Sequence, residues 1–97
     1  MKAIFKTGIT VMTRGIADRI EEDQQFADFV TKCFGRYIGC DWGDLDKDDA
    51  RANDKAVADG DDRILAAYER EGFPGDRIWI ITEWDRSATT VLFPSEY

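Results

Sequence analysis

Asp41, Asp44, Asp46, Asp48 and Asp49 lie within the nine residues DWGDLDKDD, a density of carboxylates that admits three chemistries. Such a group holds a cation, runs acid and base chemistry, or presents negative charge to a basic partner. The cation is tested by spacing. With Asp44, Asp46 and Asp48 at positions 1, 3 and 5 of a calcium loop, position 6 falls on Asp49 and position 12 on Lys55. The loop requires glycine for its sharp turn at the first and a bidentate glutamate at the second, so no dedicated metal site is expected.

Catalysis lacks its usual parts. The chain has no histidine to activate Cys33, Cys40, Ser87 or Ser95, and no glycine-rich phosphate loop. Cys33 and Cys40 stand seven apart without a CxxC, which suggests neither a redox pair nor a zinc site. A non-enzymatic protein without a cofactor is the expectation.

The remaining chemistry is charge. Between positions 41 and 62, nine aspartates (Asp41, Asp44, Asp46, Asp48, Asp49, Asp54, Asp59, Asp61 and Asp62) face only Lys47, Arg51 and Lys55, in a chain whose net charge is −7. This pole disfavours nucleic acid and anionic lipid and favours a basic partner. Part of it has a local explanation. Acids at a helix N-terminus are favoured by the macrodipole, whereas Asp59, Asp61 and Asp62 fall where the same helix ends and the dipole opposes them. Carboxylates at i, i+3 and i+4 stand about 5–6 Å apart, a spacing comparable to duplex phosphates. The acids, with Trp42 as an aromatic anchor or alternatively a lid on the core, are therefore the candidate partner-binding residues.

Ninety-seven residues, 43% hydrophobic and 12% aromatic, suit one globular domain over 1–97. No apolar run approaches membrane-spanning length, and MKAIFKTG has no signal-peptide core. The β-branched run ITVMT (9–13), with Ile4 and Phe5 before it, predicts a first strand ended by Gly15. A short helix with Ile16 and Ile20 on one side follows. Asp23 then caps a helix whose Phe26, Phe29, Val30, Cys33, Phe34 and Tyr37 form one apolar stripe. A third, alanine-rich helix runs from an Asp46 cap, with Leu45 packing on Ala50, to Gly60. RILAAYERE (63–71), RIWIITEWD (77–85) and ATTVLF (88–93) read as three strands. The expected fold is α+β, a four-stranded antiparallel sheet with two to three helices on one face, in the order β-α-α-α-β-β-β.

The stretches MTRGI (12–16), DWGDL (41–45) and IWIITEWDRSATTVLFPSEY (78–97) together resemble a family of small acidic proteins carried on bacterial plasmids, phages and integrated elements. Some members bear restriction-system labels, and the family is similar to a source of anti-CRISPR proteins against type I systems. The resemblance implies a mobile-element protein that blocks a nucleic-acid-targeting complex of a bacterial host, and the lack of a membrane-length run or signal-peptide core makes a cytoplasmic protein the expectation. It highlights Trp42, Gly43 and Asp44 in the loop, and Trp79, Glu83, Trp84, Asp85 and Arg86 near the last turn, with no catalytic motif. The function expected is therefore that of a DNA mimic on a basic surface of a CRISPR effector or restriction enzyme subunit, without direct contact to nucleic acid or membrane. The alternative is an accessory or regulatory binding protein of the mobile element, whose acids only keep it in solution.

Overall fold

A computed structural model describes residues 4–97. The elements are β1 (Ile9–Met12), α1 (Arg14–Glu22), α2 (Gln24–Ile38), α3 (Lys47–Asp59), β2 (Ile64–Glu69), β3 (Arg77–Thr82) and β4 (Ala88–Leu92), followed by a 3₁₀ turn at Pro94–Glu96. The α+β class and the element order are those the sequence predicts. The four strands form one sheet in the order β1-β4-β3-β2.

Strand direction departs from expectation at one pair. β2, β3 and β4 form an antiparallel meander, but β1 runs parallel to β4, with Ile9 beside Ala88 and Met12 beside Val91. A parallel neighbour requires a long crossover connection, which the helical layer provides. Side-chain alternation carries no information on direction, so the pattern of ITVMT is the same either way.

Two local readings also change. Gly15 does not end the strand; it lies inside the first turn of α1, where its N–H donates to Glu96. Ile4 and Phe5 are not part of β1. Phe5 instead sets its ring 5.5 Å from Tyr37 and 6.0 Å from Trp42.

The core lies between the helices and one face of the sheet. Ile16, Phe26, Val30, Cys33 and Tyr37 meet Ile64, Ala66, Tyr68, Ile78, Ile80 and Val91 there. Asp23 caps α2 through its side chain, which accepts from the N–H groups of Gln25 and Phe26. Of the predicted stripe, Phe26, Val30, Cys33 and Tyr37 are buried, while Phe29 and Phe34 at its flanks are half-buried. Burial pushes the Cys33 thiol up to about 12 and keeps it a packing group. A polar line crosses this core: Tyr37 Oη, Thr82 Oγ1 and Thr89 Oγ1 stand 2.7 Å apart in succession, and Thr89 donates to the Thr7 carbonyl at 2.7 Å.

An ion cluster ties the helical layer to the turn between β2 and β3. Arg19 donates to both oxygens of Asp76 at 3.2 and 3.0 Å, and Arg70 reaches the same carboxylate at 3.1 Å. The two guanidinium groups also lie 4.5 Å over the Phe26 ring and 3.7 Å over the Phe73 ring. The hydrogen bond from Arg19, then that from Arg70, holds the Asp76 carboxyl below its ordinary range, against the opposing effect of burial. A depressed folded-state value means that ionisation stabilises the fold above the unfolded value, near 4, and that this is lost as pH falls through the folded value. Melting temperature is expected to fall on acidification below about pH 4, and the fall should be shallower in Asp76→Asn. Identical pH profiles for the two proteins in thermal melts would remove this cluster from the account.

Candidate functional site

The acids surround the β2 margin of the sheet, and internal bonds fix several of them. After α2 the chain turns at Cys40, whose φ is 64°, and the Asp41 N–H returns to the Arg36 carbonyl at 2.9 Å. Arg36 grips the Asp41 carboxylate with Nε at 2.7 Å and a terminal nitrogen at 3.1 Å, and this pairing lowers the Asp41 pKa. The same carboxylate accepts from the Gly43 N–H, and the Asp41 carbonyl accepts from Tyr68 Oη at 2.6 Å.

Trp42 does not belong to an exposed interface. It is only 5% exposed, with its ring 5.5 Å from Tyr37, and its Nε1–H donates to Asp54 at 2.9 Å. An indole that buries its rings and finds a carboxylate for its N–H satisfies both parts of its chemistry inside the fold. It is a lid on the core, and only its neighbours are left to meet a partner.

The next residues close the sheet. Gly43 bridges Ala67 in parallel fashion, the Asp44 N–H donates to the Ala67 carbonyl at 2.7 Å, and the Asp44 carboxylate accepts from the Glu69 N–H at 2.8 Å. Farther along, the Asn53 amide donates to the Leu65 carbonyl at 2.8 Å and accepts from its N–H at 3.3 Å. DWGD and Asn53 thus occupy the β2 edge, which would otherwise offer unpaired groups to another chain. Asn53 was legible only as a polar residue on the inward side of an otherwise alanine-rich helix.

Asp46 caps α3 by accepting from the Asp49 N–H at 2.8 Å, and Asp48 and Asp49 occupy its first turn. At the other end Gly60 takes a left-handed conformation, with Asp59, Asp61 and Asp62 around a hollow shared with Lys55. The dipole conflict expected for these three acids is answered by Arg86. Held at φ 60° in the last turn, Arg86 donates to the carbonyls of Ala56, Asp62, Glu83 and Trp84. Its cation stands at the C-terminal end of α3, where the helix dipole is negative. The resemblance highlights Arg86 beside the last turn but carries no sign of this reach to α3.

The acids do not form an unbroken helical stripe. Asp48, Arg51, Lys55 and Asp59 fall in one exposed row of α3, with the two cations in its middle. Negative charge collects instead at the two ends of the helix. A 13-residue helix separates them by about 20 Å. All nine aspartates from Asp41 to Asp62 are exposed, and Asp49, Asp59, Asp61 and Asp62 form no ion pair among the described residues.

Among the described residues no three carboxylates or thiols converge as cation ligands. No described helix is long and apolar enough to cross a membrane. No family model, curated protein or solved structure matches this chain.

Proposed function

We propose that the protein is an anti-CRISPR-like inhibitor of a bacterial nucleic-acid-targeting defence complex. In this reading its acidic margin occupies a basic DNA-binding surface on a CRISPR effector or restriction enzyme subunit. The observation that carries it is the pair of exposed aspartate groups at the two ends of α3, Asp46–Asp48–Asp49 and Asp59–Asp61–Asp62, held on one margin by fixed elements. Asp46 is pinned as a cap, and the elements flanking the second group are clamped by Arg86. Charges that are already ordered lose less entropy on docking. The protein's own field repels phosphates, so it competes with DNA without binding it.

A second reading rests on a specific observation. Asp41 and Asp44 are engaged in internal bonds, and Arg51 and Lys55 break the acidic row. In an accessory or regulatory protein of a mobile element, the same acids would serve folding and solubility alone.

Titration into a type I effector, with its target duplex as competitor, separates the two. Mimicry predicts mutual exclusion with the duplex and affinity that falls steeply with salt, since the screening length drops from about 10 Å at 0.1 M to about 3 Å at 1 M. Replacing Asp59, Asp61 and Asp62 together by Asn should weaken binding about tenfold, as expected for three partly screened charges. Thermal stability should be unchanged, since the one bond these side chains make among the described residues, from the Arg63 N–H to Asp62, can be kept by the Asn oxygen, and the helix end keeps Arg86. Full affinity in the triple variant, or binding indifferent to salt, leaves the accessory reading in place.

A further inference from the structure

The two margins of the sheet are finished in opposite ways. At β2, Asp44, Gly43 and Asn53 take up the outward groups of Leu65, Ala67 and Glu69. At β1, the Ile9 N–H donates to Ser87 and the Thr13 N–H to Val91, so the odd-numbered residues turn their peptide groups toward β4. Alternation directs those of Thr10 and Met12 outward, where no described residue bonds them. All four residues of β1 are exposed. ITVM has no charge, no proline and an unbroken register, and so lacks the devices by which edge strands resist pairing.

Both faces of this edge are apolar. On the helix side Thr10 and Met12 border a hollow of about 360 Å³ with Ile20, Val30, Phe34 and Val91. On the other side Ile9 is 70% and Val11 44% exposed. We propose that β1 pairs antiparallel with β1 of a second copy, about a two-fold axis through Val11, joining two four-stranded sheets into one of eight strands.

The strand is complementary to itself in that register. Thr10 and the Met12 of the second copy exchange both N–H···O=C bonds, and the symmetry repeats the exchange. Val11 then meets its own counterpart in a non-hydrogen-bonded pair on the open face. Each Met12 comes opposite the other copy's Thr10, at the mouth of that copy's hollow.

Charge selects a second copy over other occupants. The chain carries −7, and nine of its twenty acids lie at the opposite margin, three strands away. Pairing through β1 leaves the two acidic margins at the far ends of the eight-stranded sheet, on the order of 30 Å apart and several screening lengths from one another. A basic partner is drawn to the acids, whereas like copies meet with least repulsion at the uncharged edge. A contact of four residues per copy is smaller than the roughly 1,200 Å² of a stable interface, so the dimer is transient and concentration-dependent.

Sedimentation over roughly 5 to 500 μM, the range in which contacts of this size associate, should show the mass rising from 11.1 kDa toward twice that value. The rise should be nearly indifferent to salt. Val11→Lys sets two ammonium groups against each other at the axis and should stay at the single-copy mass with an unchanged circular dichroism spectrum. In a Cys40→Ser background, Val11→Cys should form a disulfide-linked dimer on oxidation, since directly opposed residues bring their Cα atoms within bridging distance. Glu69→Cys, on the closed margin, should not. The cross-link decides the matter if the lysine variant fails to fold. A constant single-copy mass for the unaltered protein, growth beyond two copies, association of Val11→Lys like the parent, or equal cross-linking at 11 and 69 each overturns the proposal.

Discussion

Gly43→Ala should lower stability by about 2 to 5 kcal/mol, the sum of a left-handed backbone penalty and the strain of overpacking. Gly43 has φ 73°, and a Cβ there would run into the Ala67 carbonyl and the Tyr68 ring. Neither neighbour can yield cheaply. Ala67 is a backbone group paired across the sheet with Trp79, and Tyr68 is fully buried with its hydroxyl bound to the Asp41 carbonyl. Making room means lifting the DWGD loop from β2, which releases the bonds from the Asp44 N–H to Ala67 and from the Glu69 N–H to Asp44. In a domain of this size a drop in melting temperature of at least about 10 °C follows. Gly60→Ala is the matched control, because Gly60 also has φ 73° but nothing lies within 4 Å of its added Cβ. Gly60→Ala should show the backbone penalty alone. Equal losses at the two positions would mean that the loop is not seated against β2.

The second large effect belongs to Phe26→Ala, expected to cost about 3 to 5 kcal/mol. Phe26 is fully buried, with its ring 5.7 Å from Phe93 and 6.0 Å from Phe29, and the Arg19 guanidinium covers its face. Its removal opens a cavity between α2 and the end of β4 and takes away the surface on which the Arg19–Asp76 pair rests. Phe29→Ala and Phe34→Ala should cost clearly less, since both side chains keep part of their surface in water. Chemical denaturation of the three variants gives the ranking directly. A Phe29 loss as large as that of Phe26 would place the centre of the stripe one position away from where the structure has it.

Those two experiments separate what local sequence encodes from what it does not. Asp23 and Asp46 are visible as caps because a capping side chain bonds N–H groups only two or three residues ahead, a relation written entirely within a few positions. The stripe from Phe26 to Tyr37 is visible because 3.6-residue periodicity is a property of one helix. The strands of the meander are visible in their β-branched runs, and the charge pole in the composition. None of these requires knowing what lies across the fold.

The tertiary structure decided the rest. The parallel seating of β1 beside β4, Trp42 as a lid bonded to Asp54, and Arg86 over the end of α3 all join residues far apart in the chain. So do Asp44 and Asn53 on the β2 edge. An aspartate that caps a helix, closes a sheet edge or stands free in solvent looks the same in sequence, because its partner is chosen by packing. Which margin of the sheet is closed and which is open depends on strand order, and strand order is set by how the helical layer carries the chain across the sheet. The sequence by itself therefore determined the elements and the amount of charge; the three-dimensional arrangement alone assigned the acids their separate roles and left the outer edge of β1 without a partner among the described residues.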